Sequence, residues 1–326
     1  MDGKIIDMGK TFFRTALGDI PSSKMGFTYS HEHIIIDDCY VTAGHAEFLL
    51  NDTKKVTEEL QNFYKAGGRT MVDTMPANSG RNVLKLAEVS QKSRINIIVT
   101  TGIHLEIYYP KNHWRFTYTE DQLTELFIAD IEKGIDKFDY SAPFIERTQH
   151  KAGVIKLATG DEPITLHQEK IFHAVVNAHL ATGAPILTHT NFGNQALEQA
   201  HLFQKLGARM EHVVLSHVDR NKDLDYHKKV LDTGVKIEYD SAFRWKKEDK
   251  NWTLFFLEHL LSLYPDQITL GMDMAKNAYW NSYGGKPGLN YLINTIPKFL
   301  KSKGLTKHYR KLFFDNPKEL YTFFNH

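Results

Sequence analysis

The sequence predicts an α/β chain folded as a single-domain (β/α)8 barrel, the TIM-barrel architecture, and three observations carry that prediction. Eight short apolar runs rich in β-branched residues alternate with eight longer stretches of helical character. Glycines close several of the helical stretches, and no low-complexity linker divides the chain. The length, 326 residues, is one at which such barrels form one unit.

The elements follow in order. After an N-terminal extension, residues 1–26, Phe27 to Ile36 reads as strand one and Thr53 to Ala66 as a helix. Thr70 to Met75 and Ile95 to Gly102 are strands two and three, followed by helices over Arg81 to Lys92 and Glu120 to Gly134. Gly153 to Ala158 precedes a helix over Leu166 to Thr182, and Pro185 to Thr190 precedes one over Asn194 to Leu206. His212 to His217, Val235 to Tyr239 and Ile268 to Met272 complete the strands, with helices over Leu224 to Thr233, Trp252 to Leu263 and Leu289 to Lys303. Each strand is apolar on both faces, as a strand buried in a parallel sheet must be. Gly183 and Gly207 stand where a helix end calls for a left-handed residue. A C-terminal segment, residues 305–326, with a helix around Pro317 to Phe324, completes one domain. A doubly wound open sheet is the competing arrangement.

Composition narrows the function. Hydrophobic residues make up 42% and charged residues 24%, and no apolar run approaches a membrane span. Forty Lys and Arg against 39 Asp and Glu give a net charge of +1 with no basic stripe, which argues against nucleic acid as a partner. The N-terminus carries no signal-peptide pattern, and the single cysteine, Cys39, has no partner for a disulfide, so a cytoplasmic protein is expected. Cys39 reads as a packing residue rather than a nucleophile.

Histidines are numerous, 17 in all, and the informative ones lie where apolar runs end. His31 and His33 are two apart in strand one, so an extended backbone projects both to one face, as a metal requires. Two hydrogen-bonded strand histidines are the plain alternative. Barrel chemistry gathers at the C-terminal ends of the strands. There the chain places Lys156 after strand four's Val154-Ile155, His189 in Thr188-His189-Thr190, His217 in Ser216-His217-Val218-Asp219, and Asp273 after Gly271-Met272. Lys156 is the unusual member, because burial among histidines drives an ammonium toward its neutral form. A neutral amine adds carbon dioxide to give a carbamate able to bridge two cations. A lysine reaching the rim to pair with Asp161 or Glu162, and an Asp273 that merely caps a helix, are the alternatives. Glu32, on the opposite strand face, reads as a supporting residue.

The order and context of His31-Glu32-His33, Gly153-Val154-Ile155-Lys156, Pro185 to Thr190, Ser216 to Asp219 and Leu270-Gly271-Met272-Asp273 closely resemble the phosphotriesterase family of the amidohydrolase superfamily. Leu86 to Ser90 and Asn316-Pro317 carry the likeness further. The resemblance implies a cofactor of two divalent metal ions, zinc being the expected metal. His31, His33 and Asp273 would bind the more buried ion and His189 and His217 the more exposed one. Lys156, as N6-carboxylysine, would bridge them. It implies hydrolysis by a hydroxide held between the ions, with Asp273 as the catalytic proton acceptor.

The loops after the strands choose the substrate. His104 follows Thr101-Gly102-Ile103, where lactonases of the family tend to have tyrosine, and it opens a long aromatic loop. Arg244 and Lys246 follow strand seven, and Lys276 and Tyr283 lie in the loop after strand eight, which is similar to that of relatives acting on sugar lactones, some phosphorylated. These five residues are the substrate-binding candidates, with a solvated basic rim as the alternative. The expectation is a lactonase opening a polar, in one version phosphorylated, sugar lactone. A phosphotriester or aryl-ester hydrolase, a small-amide hydrolase and a non-catalytic ligand-binding barrel are the alternatives. A small-molecule substrate and a homodimer are the expected partners, with neither nucleic acid nor membrane.

Overall fold

Burial on both faces gathers the eight predicted strands into one parallel sheet. The computed structural model describes residues 11–246 and 248–324, so the first ten residues of the predicted N-terminal extension and the last two of the C-terminal segment lie outside it. The extension is not featureless. Strand β1 (Phe12–Thr15) and β2 (Gly18–Pro21) form an antiparallel hairpin, tied to the barrel through Ala16 N, which donates to Ile97 O at 2.8 Å.

The barrel strands are β3 (Phe27–Glu32), β4 (Gly68–Asp73), β5 (Asn96–Gly102), β6 (Val154–Thr159), β7 (Ile186–Thr190), β8 (Val213–Ser216), β9 (Lys236–Tyr239) and β10 (Ile268–Leu270), adjacent in chain order. The ring closes between β10 and β3, where Met272 N and Asp273 N both donate to His31 O, at 3.2 and 3.0 Å. Glu32 reinforces the seam, accepting from Met272 N at 2.9 Å and Met274 N at 3.4 Å. This is a (β/α)8 barrel rather than an open sheet.

Around it pack α1 (Thr53–Lys65), α2 (Val83–Ser93), α3 (Glu120–Glu132), α4 (Leu166–Thr182), α5 (Ala196–Leu206), α6 (Leu224–Leu231), α7 (Trp252–Leu260) and α8 (Tyr291–Ser302), with α9 (Asn316–Tyr321) below. Their ends obey local chemistry. Thr119 and Thr165 build capping boxes with Gln122 and Gln168, and α4 and α5 end on Gly183 and Gly207 at φ of 72° and 80°.

Inside the barrel, Val72, Ile98, Val154, Leu187 and Val214 fill the base with Phe13, Met25, Leu320 and Tyr321. Two residues further along, the same inward face becomes polar, with Lys156 after Val154, His189 after Leu187 and Ser216 after Val214. The functional end is thus set by strand alternation over an apolar floor. Strand one is shorter than predicted, because Asp73 Oδ1 accepts from Ile34 N at 2.7 Å and Ile35 N at 3.3 Å, replacing ladder partners with a side chain. The β3/β4 register also shifts between Tyr29 and Glu32. Tyr29 packs outward on Phe63, while His31 turns inward to stack near His217, ring centroids 4.7 Å apart. No described helix is long and apolar enough to cross a membrane.

Candidate metal centre

Four histidines, Lys156 and Asp273 converge at the C-terminal mouth. His217 and Asp273 reach it through left-handed backbone, φ 67° and 49°, a conformation that non-glycine residues adopt at a cost of about 1–3 kcal/mol. Such strain, held by the surrounding packing, marks a place where side-chain direction matters.

The polar neighbours dictate which ring nitrogens are bare. His217 Nδ1 lies 2.5 Å from Asp240 Oδ2, so its proton is on Nδ1 and Nε2 is a lone pair. Asn191 Nδ2 donates to Asp161 Oδ2 at 3.1 Å, which turns its amide oxygen to His189 Nε2, 3.2 Å away. His189 therefore carries its proton on Nε2, and Nδ1 is bare. The two bare nitrogens face each other at 2.9 Å. Two acceptors at that distance repel unless a cation lies between or beside them. His31 Nε2 is fully buried with no hydrogen-bond partner, 3.8 Å from Asp273 Oδ1, and His33 Nε2 lies 3.0 Å from the same oxygen. Burial first, and then His217 and Lys156, hold His31 and His189 well below the ordinary histidine range, in the neutral form that ligates metal. The donor set fits divalent cations of borderline character.

Asp273 is the anionic member. Burial alone would raise its carboxyl, but Arg244 and Arg220 hold it well below the usual range, with Oδ2 at 3.0 and 2.5 Å from their Nη2 atoms. Lys156 is fully buried, its amine pushed down to about 8 by burial, and Nζ donates to Thr74 O at 2.8 Å. Asp161 is engaged instead with Asn191 and Asn194, and Asp273 caps no helix.

A cleft of about 150 Å³ opens above these groups. Of the five substrate-binding candidates, His104, Arg244 and Lys276 line it; Lys246 and Tyr283 do not. Lys246 lies in an adjoining groove, and the Tyr283 hydroxyl accepts from Asp52 N at 3.1 Å, at the start of α1. His104 stacks on Tyr108, centroids 3.8 Å apart. Lys276 pairs loosely with Glu47 at 3.8 Å. Cys39 is half-buried on the cleft wall.

Sequence reasoning missed Arg220, Asp240 and Tyr108. Asp240 closes strand seven as His189 and His217 close theirs, so the strand-end rule applied evenly would have found it. Arg220, on the turn after His217, bridges Asp240 Oδ1 at 2.7 Å and Asp273. A surface loop arginine has no signature in the sequence that announces such a contact.

The pattern of the phosphotriesterase family matches residues 11–321. The chain is 32% identical over 331 residues, 96% of this chain and 92% of the relative, to a protein of Mycoplasmopsis agalactiae named phospho-furanose lactonase. A crystal structure of an amidohydrolase from Mycoplasma synoviae superimposes with a TM-score of 0.93 at 31% identity, covering 97% of this chain and 93% of that one. A lactonase from Listeria monocytogenes does so at 0.88 and 32%, covering 96% and 100%. Since barrel, mouth and sequence agree along nearly the whole described chain, the protein belongs to the phosphotriesterase family.

Proposed function

We propose that the chain is a metal-dependent lactonase that opens a phosphorylated sugar lactone. One observation carries the choice of substrate: Lys276, with Arg220 and Arg244 beyond the nitrogens they spend on Asp273 and Asp240, lines the same cleft as the imidazoles and gives it a cationic wall for an anion. The names of the mycoplasmal relatives support the same substrate class.

His31, His33 and Asp273 would hold one divalent ion and His189 and His217 the other, with carboxylated Lys156 between them; zinc is the metal favoured by this ligand set. Bound there, two such ions supply a hydroxide at neutral pH and an electrophile for the lactone carbonyl. The chain's own residues do the rest. Asp273 accepts a proton at Oδ1, the oxygen left free by the arginines, and delivers it to the departing ring oxygen. Arg244 and Lys276 orient the substrate from its distal end, and the His104–Tyr108 stack and Phe48 shield the ring from water. The protein acts in the cytoplasm on a small-molecule substrate, as a homodimer.

The test is elemental analysis of the purified protein together with hydrolysis of neutral and phosphorylated sugar lactones, a phosphotriester, an aryl ester and an acylated amino acid. About two metals per chain, with turnover greatest on the phosphorylated lactones, is the expected result. Turnover confined to phosphotriesters, aryl esters or amides would assign one of the alternative activities. No metal and no turnover after reconstitution would leave a binding barrel.

A further inference from the structure

Glu238, on β9, is fully buried inside the barrel, with its carboxyl against that of Asp240. It lies just beneath the mouth, with Oε2 3.3 Å from His31 Nδ1. The fold makes room for it at Gly271, where a Cβ would meet Glu238 Oε1 at 2.6 Å and the His31 backbone at 2.7 Å. A glycine there keeps the carboxyl and the imidazole in register.

Glu238 also pairs across the sheet with Ser216, whose Oγ is 3.0 Å from the same His31 nitrogen. Two groups thus approach His31 Nδ1: the Ser216 hydroxyl can donate or accept and fits either tautomer, whereas the Glu238 oxygen fits only one. A serine hydroxyl that donates leaves Nδ1 bare and puts the ring proton on Nε2, which ends ligation from the mouth. The Glu238 oxygen turned to His31 accepts, whether the carboxyl is ionised or holds its proton on the other oxygen. It draws the ring proton to Nδ1 and leaves Nε2 bare. Asp240, two residues further along, does the same for His217.

We infer that Glu238 is the positioning residue that selects the His31 tautomer and so keeps Nε2 open to a cation. The inference rests on reading His31 as a ligand. A rival arrangement uses the same atoms: His31, His217, Glu238 and Asp240 bring their ligand atoms within 4.8 Å of one another and could enclose a deeper cation. The two are exclusive, because a neutral imidazole with a bare Nδ1 carries its proton on Nε2.

The test uses the full chain with ¹⁵N-labelled histidine, read by NMR without metal, and Zn2+ affinity from competition with a chelator. Glu238→Met removes the acceptor at similar volume. It should shift the His31 proton to Nε2 and weaken the tighter Zn2+ site by about 10- to 100-fold. Glu238→Gln, whose amide oxygen still accepts, should restore both to within a few-fold of the parent. Ser216→Ala should leave both unchanged, and it decides the matter even where Glu238→Met fails to fold. A tenfold loss of affinity in Ser216→Ala, or an unchanged tautomer and affinity in Glu238→Met, overturns the proposal. So does a third zinc in the parent that Glu238→Met removes. None of these readouts uses turnover, so a failed lactonase assignment leaves them standing.

Discussion

Asp240 Oδ2 lies 2.5 Å from His217 Nδ1, while its other oxygen lies 2.7 Å from Arg220 Nη2. One carboxylate fixes the tautomer of a ring at the mouth and neutralises an arginine of the cleft wall. An Asp240→Asn substitution should therefore weaken metal binding on the His189/His217 side by about 10- to 100-fold, measured by chelator titration. Unchanged affinity would show that His217 needs no such partner.

Lys156 feels the charge of Asp273 and Asp73, but its ammonium donates to a backbone carbonyl, Thr74 O. Lys156→Ala should drop the metal content below two per chain, and added short-chain carboxylates should restore part of the turnover. Metal content and rate equal to the parent's would remove any bridging role for this lysine.

Asp273 is held ionised against burial by two arginines. Asp273→Asn should retain much of its metal, since the histidines remain, yet lose about a hundredfold or more in kcat through the missing proton acceptor. Steady-state kinetics on metal-loaded protein checks this, and full activity would move the proton-transfer role elsewhere.

Arg81 is buried between two acids, Asp130 of α3 and Asp139 of the segment after it, with Nη1 2.9 Å from Asp130 Oδ2 and Nε 2.8 Å from Asp139 Oδ1. It pins the excursion between α3 and β6 to the barrel wall. Removing it in Arg81→Ala leaves Asp139 without its counter-ion and Asp130 with Arg147 alone, and should cost about 3–5 kcal/mol, read from the denaturation midpoint at constant m-value. A loss within experimental error would mean the network is solvated.

His227 is buried beside Tyr239, and burial lowers its value from 6.5 to about 4. The unfolded chain therefore takes up the proton first. Stability from this group is complete above roughly pH 6.5 and falls as the pH drops toward 4, by about 3 kcal/mol in all. Buried acids such as Asp139, raised to about 6, act in the opposite sense, so the difference between parent and His227→Gln isolates the histidine. That difference should shrink with falling pH; a constant difference would contradict a neutral buried imidazole.

The barrel and the six mouth residues were legible in the chain because they rest on local rules. Runs apolar on both faces read as buried parallel strands, glycines mark helix ends, and the last inward residue of each strand must face the mouth. Lys156 and His189 follow from those rules, whatever the rest of the molecule does. Tertiary structure decided everything that depends on which strand lies beside which. Closure through Glu32 and Met272 joins residues 240 positions apart, and the register shift after Tyr29 turns His31 inward against simple alternation. The placement of Arg220 on Asp273, of Asp240 under His217 and of Glu238 beside His31 is a property of neighbouring strand ends. So is the exile of Lys246 and Tyr283 from the cleft. Periodicity along one chain specifies the face a side chain takes; only the closed ring specifies what it meets there.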